Sequence, residues 1–151
     1  MNTCAFRCLA PVMLAFVTLP ALAAQEPCSA LAALALPATR ITSAALVPAG
    51  AFSPPATPAP ANPTPQAVRQ AQERAELFRS LPAFCRVTAR VTTSASSSIN
   101  LDVWLPQAEW NGRYLVNGYA FFGNKLNPVP LATALRQGYA TATTDKGLPE
   151  S

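Results

Sequence analysis

The sequence predicts an α/β fold in which an antiparallel hairpin leads into a parallel strand–helix–strand unit. Three observations predict it. Apolar and polar residues alternate over Cys85 to Thr92 and again over Ile99 to Leu105, the period of half-buried strands. The serine-rich loop Ser94 to Ser98 joins the two runs as a hairpin. Two further strand-like runs, Tyr114-Leu115-Val116 and Tyr139 to Thr144, bracket a short helical segment after Pro130, and a crossover of that kind makes its two strands parallel.

Taken in order, residues 1–23 read as a signal peptide. Arg7 supplies the positive n-region, Cys8 to Leu19 the apolar h-region, and Ala21-Leu22-Ala23 a small-residue cleavage site. Pro11 and Pro20 interrupt the apolar run, which is too short for a transmembrane helix. The protein is therefore expected to be secreted or periplasmic, with no membrane attachment once the signal is removed. Residues 24–47 form an N-terminal segment, with a short helix over 28–36 ended by Pro37 and a strand over Arg40 to Val47. Residues 48–65 hold seven prolines and read as an extended linker or surface crossing. Gln66 to Ser80 is rich in helix formers, with Arg69 and Glu73 at i,i+4 and Val68, Ala71, Ala75 and Phe78 as an apolar stripe; Pro82 stops it. Residues 66–151 form the partial α/β domain. In it Pro106 ends the second strand of the hairpin, Asn111-Gly112 is a turn signal, Leu131, Ala134 and Leu135 share a helix face, and Gly138 caps that helix. Its last strand, at Ala140 to Thr144, is expected to be an unpaired edge.

Charge excludes some functions. The 151 residues carry 11 basic and 7 acidic side chains, a formal +4. Removing residues 1–23 takes only Arg7, which leaves 10 basic against 7 acidic residues, or +3. The arginines are scattered, with no basic run interleaved with aromatics, so no nucleic-acid partner is expected. Cysteine usage fits export. Cys4 and Cys8 leave with the signal, and an even pair, Cys28 and Cys85, remains. In an exported protein such a pair reads as a disulfide. It would close a 57-residue loop, worth roughly 4 kcal/mol in the chain-entropy model. The competing reading is two free or metal-bound thiols, but a metal site needs more ligands, and no metal site is expected.

The most informative chemical feature is that the chain contains no histidine. Serine and cysteine hydrolases of the triad type need an imidazole to take the nucleophile's proton and return it. There is also no G-x-S-x-G. Glu73 and Glu76 share a helix turn and read as a solvated face. Asp102 and Glu109 have no partner base, and Ser94, Ser96, Ser97 and Ser98 are loop hydroxyls with nothing to activate them. No catalytic residue is assigned.

An antiparallel hairpin feeding a parallel unit is the opening expected of an α/β-hydrolase sheet. Particular blocks go further. Phe84-Cys85-Arg86-Val87, Asp102-Val103-Trp104-Leu105-Pro106, Trp110-Asn111-Gly112-Arg113-Tyr114-Leu115 and Gly138 to Asp145 occur in this order. Ile41-Thr42-Ser43-Ala44, Val47-Pro48-Ala49-Gly50 and a cysteine placed like Cys28 fit the same beginning. Over roughly residues 28–147 the chain resembles the N-terminal portion of the tannase and feruloyl esterase family. The resemblance implies an exported α/β hydrolase with a lid domain, cleaving phenolic-acid esters through a serine, an acid and a histidine. It places those three residues, and the lid with its calcium site in family members, beyond Ser151. No cofactor is expected within the chain itself, and the fold is expected to stop before the nucleophile elbow. On this fold one oxyanion-hole N–H comes from the loop after the third strand. Here that loop gives Asn117, Gly118 and Tyr119 as candidates. Tyr119 and the doubled Phe121-Phe122 depart from the family's more glycine-rich run, so an ordinary turn with aromatics on the sheet is the competing reading. The end departs as well, because Leu148 to Ser151 replace the small residue and histidine that usually follow Gly147. A frameshift, a premature stop or an incomplete gene model accounts for this better than divergence to a non-catalytic role.

Two functions follow as expectations. One is the N-terminal fragment of a tannase or feruloyl esterase-like ester hydrolase, inactive by itself. The other is a small exported binding protein derived from that family, holding aromatics or a partner through an exposed sheet and Tyr119-Phe121-Phe122.

Overall fold

The computed structural model describes residues 27–56, 58, 60–118, 126–145 and 147. The signal segment expected at 1–23 lies outside them. A short 3-10 helix, Cys28–Ala33, precedes strand β1, Thr39–Val47. Helix α1 spans Pro65–Arg79, and strands β2, Phe84–Ser94, and β3, Ser97–Pro106, follow. Strand β4, Tyr114–Asn117, helix α2, Pro128–Leu135, and strand β5, Ala140–Thr144, complete the described part.

The five strands form one mixed sheet in the order β1-β2-β3-β5-β4. β1, β2 and β3 are antiparallel neighbours, β3 is antiparallel to β5, and β4 is parallel to β5. The hairpin and the parallel unit expected from sequence are both present. The expected edge is not. β5 inserts between β3 and β4, so Ala140 to Thr144 is paired on both sides, and among the described residues the sheet ends at Thr39–Val47 on one side and at Tyr114–Asn117 on the other. The residues of β5 fit an inner place, since Ala140, Thr141, Ala142 and Thr143 are all buried. Small side chains with no large polar group can be covered on both faces of a sheet.

Helix ends follow their capping residues. Thr64 Oγ1 accepts from the Ala67 N–H at 3.2 Å, with Pro65 in the first turn of α1. Asn127 caps α2 in the same way, at 3.1 Å from Val129 N. α2 therefore starts at Pro128, ahead of Pro130, because a proline in the first turn gives up an N–H that has no helical partner. Gly138, at φ +78°, closes the helix; its N–H bonds to Leu135 O at 2.9 Å.

One face of the sheet packs on the helices. Phe84 and Trp104 stack with centroids 4.5 Å apart. Phe52, Phe78, Leu81, Leu131, Ala132 and Leu135 complete that core. Phe52, from the proline-rich stretch, meets Trp104 edge-on at 4.6 Å and Phe78 at 5.2 Å. The stretch thus contributes an anchor to the core that its composition hides. α1 uses less of its expected stripe. Phe78 is buried and Leu77 packs on the core, while Val68, Ala71 and Ala75 are exposed, because only the last turns of α1 lie over the sheet. The serine-rich stretch between β2 and β3 is tighter than a five-residue loop: Ser94 pairs with Ser97, and two residues make the turn.

Cys28 and Cys85 are joined in a disulfide with a Cα–Cα distance of 5.6 Å. Cys85 is on the other face of the sheet, with Val87, Ala89, Leu105 and Val103 as in-register neighbours, so the bond holds the 3-10 helix to that side.

Candidate functional site

The alternation in β3 marks Ile99, Leu101, Val103 and Leu105 as its apolar side, yet the fully buried side carries Asp102 and Trp104. Three donor groups on two residues explain how a carboxylate is tolerated at 3% exposure. Arg86 Nη2 donates to Asp102 Oδ2 at 2.8 Å, Arg86 Nε donates to both carboxylate oxygens at 3.1 and 3.2 Å, and Trp104 Nε1 donates to Oδ1 at 2.9 Å. The guanidinium also lies 5.4 Å from the Phe52 ring centroid. A forked Arg–carboxylate pair with an added indole donor satisfies the charge that burial would otherwise penalise. Asp102 is thus bound into the sheet as a structural acid.

Asp102 belongs to a polar row that crosses four strands in register: Thr88, Asp102, Thr143 and Asn117. The row ends at the carboxyl end of β4, where the candidate loop begins. Open α/β sheets bind ligands at the carboxyl ends of their parallel strands, so Asn117 and Gly118 have the right place for a site. The Asn117 side chain is already engaged. Its Nδ2 donates to Thr141 Oγ1 at 2.9 Å, and Thr141 Oγ1 donates in turn to Leu115 O at 2.9 Å. What this position can offer a substrate oxygen is backbone N–H. Gly118 is exposed, and a Cβ placed there would meet nothing within 4 Å. Tyr119, with Phe121 and Phe122, lies outside the described residues.

At the carboxyl end of β5, Asp145 ties the chain back to β3. Its Oδ1 accepts from Asn100 N at 2.8 Å and from Gly147 N at 3.0 Å, and its Oδ2 accepts from Asn100 Nδ2. Gly147 sits at φ +64°, and a Cβ there would come within 2.6 Å of Ile99 Cγ1. Sequence inspection missed this clamp; the Asp-x-Gly spacing of Asp145 and Gly147 was its available signal. The other carboxylates considered do not converge. Glu76 pairs with Arg79 on the surface of α1, at 2.6 Å, and Glu109 lies on the exposed loop after β3. No cluster of three or more His, Cys, Asp or Glu side chains occurs among the described residues. No helix among the described residues is long and apolar enough to cross a membrane.

A mixed sheet in which helix α2 links the parallel pair β4 and β5 defines the class as α/β. Residues 85–151 match the model of the family described as tannase and feruloyl esterase, and this segment belongs to that family. An uncharacterised esterase of Xanthomonas campestris is 40% identical over 124 residues, 82% of this chain and 18% of that protein. A probable feruloyl esterase B-1 of Aspergillus oryzae is 38% identical over 65 residues, 43% of this chain and 12% of that protein. The crystal structure of feruloyl esterase B from Aspergillus oryzae superposes with a TM-score of 0.59 at 28% identity, covering 80% of this chain and 21% of that one. The chain thus spans about a fifth or less of the length of these relatives.

Proposed function

We infer that these residues are the opening part of the catalytic domain of an exported carboxylic ester hydrolase of tannase or feruloyl esterase type. Its substrates are esters of phenolic acids, and the 151-residue polypeptide by itself does not hydrolyse them. The observation that carries the reading is the parallel unit β4–α2–β5. It lies within a segment of that family, and its first strand ends at Asn117-Gly118, at the carboxyl ends of the parallel strands, where open α/β sheets bind ligands. The names of the relatives support the ester class.

The division of labour follows from chemistry. Acyl transfer needs a nucleophile, a base near pKa 7 and donors for the developing oxyanion. This chain can offer backbone N–H groups after Asn117, held by the Asn117–Thr141–Leu115 hydrogen bonds. With no histidine it has no imidazole to activate a serine. Reading the coding DNA past Ser151 tests the assignment. A G-x-S-x-G codon pattern with later Asp and His codons, in any frame, is the expected finding. A stop codon kept at the same place in homologous genes would overturn it in favour of a non-catalytic binding protein. Export is part of the proposal. Intact mass of the exported product should begin at Ala24, and a product retaining Met1 would contradict it.

A further inference from the structure

A groove lies at the opposite end of the sheet from Asn117-Gly118. It has a volume of about 380 Å³ and is lined by Leu105, Pro106, Gln107, Ala108, Glu109, Trp110 and Ala140. That volume falls in the range of small-molecule sites, about 300–1,000 Å³. We propose that this groove is a glycan-binding site, in which the exposed Trp110 ring stacks on a neutral pyranose and the Glu109 carboxylate accepts from its hydroxyls.

Three observations carry this. The first is a fixed aromatic platform. Trp110 is 60% exposed although the rest of its loop is tightly held. Its Nε1 donates to Arg113 O at 3.0 Å, Arg113 N donates to Asn111 Oδ1 at 2.9 Å, and Asn111 Nδ2 donates to Gln137 O at 2.8 Å. The backbone of the loop is pressed on the α2–β5 turn so closely that a Cβ at Gly138 would lie 2.6 Å from Glu109 O. An indole whose N–H is already used and whose anchors are rigid offers its face at little ordering cost. The second is a neighbouring aromatic. Tyr114, 57% exposed, pairs in register with Ala140 of the groove wall. Two rings beside apolar walls suit the C–H faces of consecutive sugar units. The third is charge. Glu109 makes no ion pair among the described residues, so its carboxylate repels an anionic ligand while accepting from hydroxyls. That favours a neutral sugar over a phenolate, a carboxylic acid or a phosphate.

The test uses the intact chain with its disulfide formed and cellotriose, a neutral β-1,4-linked oligosaccharide, as probe. Saturation-transfer NMR should show saturable transfer to the sugar protons. Trp110→Ala should weaken binding roughly tenfold, the loss of one stacked ring, and Trp110→Phe should restore part of it. Trp104, fully buried, reports by its emission that each variant is folded. Gallate should bind more weakly than cellotriose, and Glu109→Gln should narrow that difference. Absence of saturable transfer, unchanged binding by folded Trp110→Ala, or tighter binding of gallate than of cellotriose would each overturn the proposal.

Discussion

Asp102, which the sequence leaves without a partner base, has a structural purpose in the fold. Its carboxylate carries the Arg86 fork and the Trp104 indole, so removing it leaves a part-buried cation and a buried N–H unpaired. Losing one partner of such a pair costs about 3–5 kcal/mol. Asp102→Ala should therefore lower the urea midpoint strongly, followed by Trp104 emission. An unchanged midpoint would show that water replaces the carboxylate without penalty. The disulfide makes a second prediction at this scale. Exported, denatured and unreduced protein should carry no thiol that a labelling reagent can reach, because Cys28 and Cys85 are bonded to each other. Two labelled thiols per chain would contradict the bond. Cys85→Ser should cost about 2–4 kcal/mol by freeing the unfolded chain from its cross-link.

At the scale of elements, the exposed strand is β4. Tyr114, Leu115 and Val116 are 57%, 41% and 58% exposed, and one side of the strand has no partner among the described residues. An open apolar edge is a template for pairing with another chain. The isolated polypeptide should self-associate, and Val116→Lys should shift it toward monomer in sedimentation velocity. A wild-type chain that stays monomeric at high concentration would refute this. Much of the element plan was legible. The hairpin and the parallel unit follow from alternation, from Gly138 at a helix end, and from the spacing between Tyr114 and Tyr139; the N-caps Thr64 and Asn127 were not read, and both helices start ahead of where the sequence put them. Strand order was not, because a period of two says which residues share a face and nothing about which strand sits beside which. The same limit hid the buried side of β3. Alternation marks two faces, but it was the pairing of Arg86 with Asp102 and of Phe84 with Trp104, residues far apart in the chain, that decided which face packs on the helices. Phe52 was hidden for a related reason: local composition describes the stretch around it and not the core it reaches.

For the whole molecule, the candidate site was legible as a place and not as a geometry. The order of the sequence blocks put Asn117 and Gly118 after a strand, and the structure puts them at the carboxyl end of a parallel strand beside the row Thr88, Asp102, Thr143 and Asn117. The engagement of Asn117 with Thr141 could not be read from spacing, since it joins side chains on neighbouring strands. On the function proposed above, this polypeptide contributes part of the scaffold of an ester hydrolase and not its acid–base chemistry. Triad loss leaves residual catalysis only where an oxyanion hole and a substrate pocket survive together. The most direct measurement is hydrolysis of methyl gallate and methyl ferulate by the purified 151-residue chain. The expected result is the buffer rate. Turnover above that rate, kept through a second purification, would contradict it.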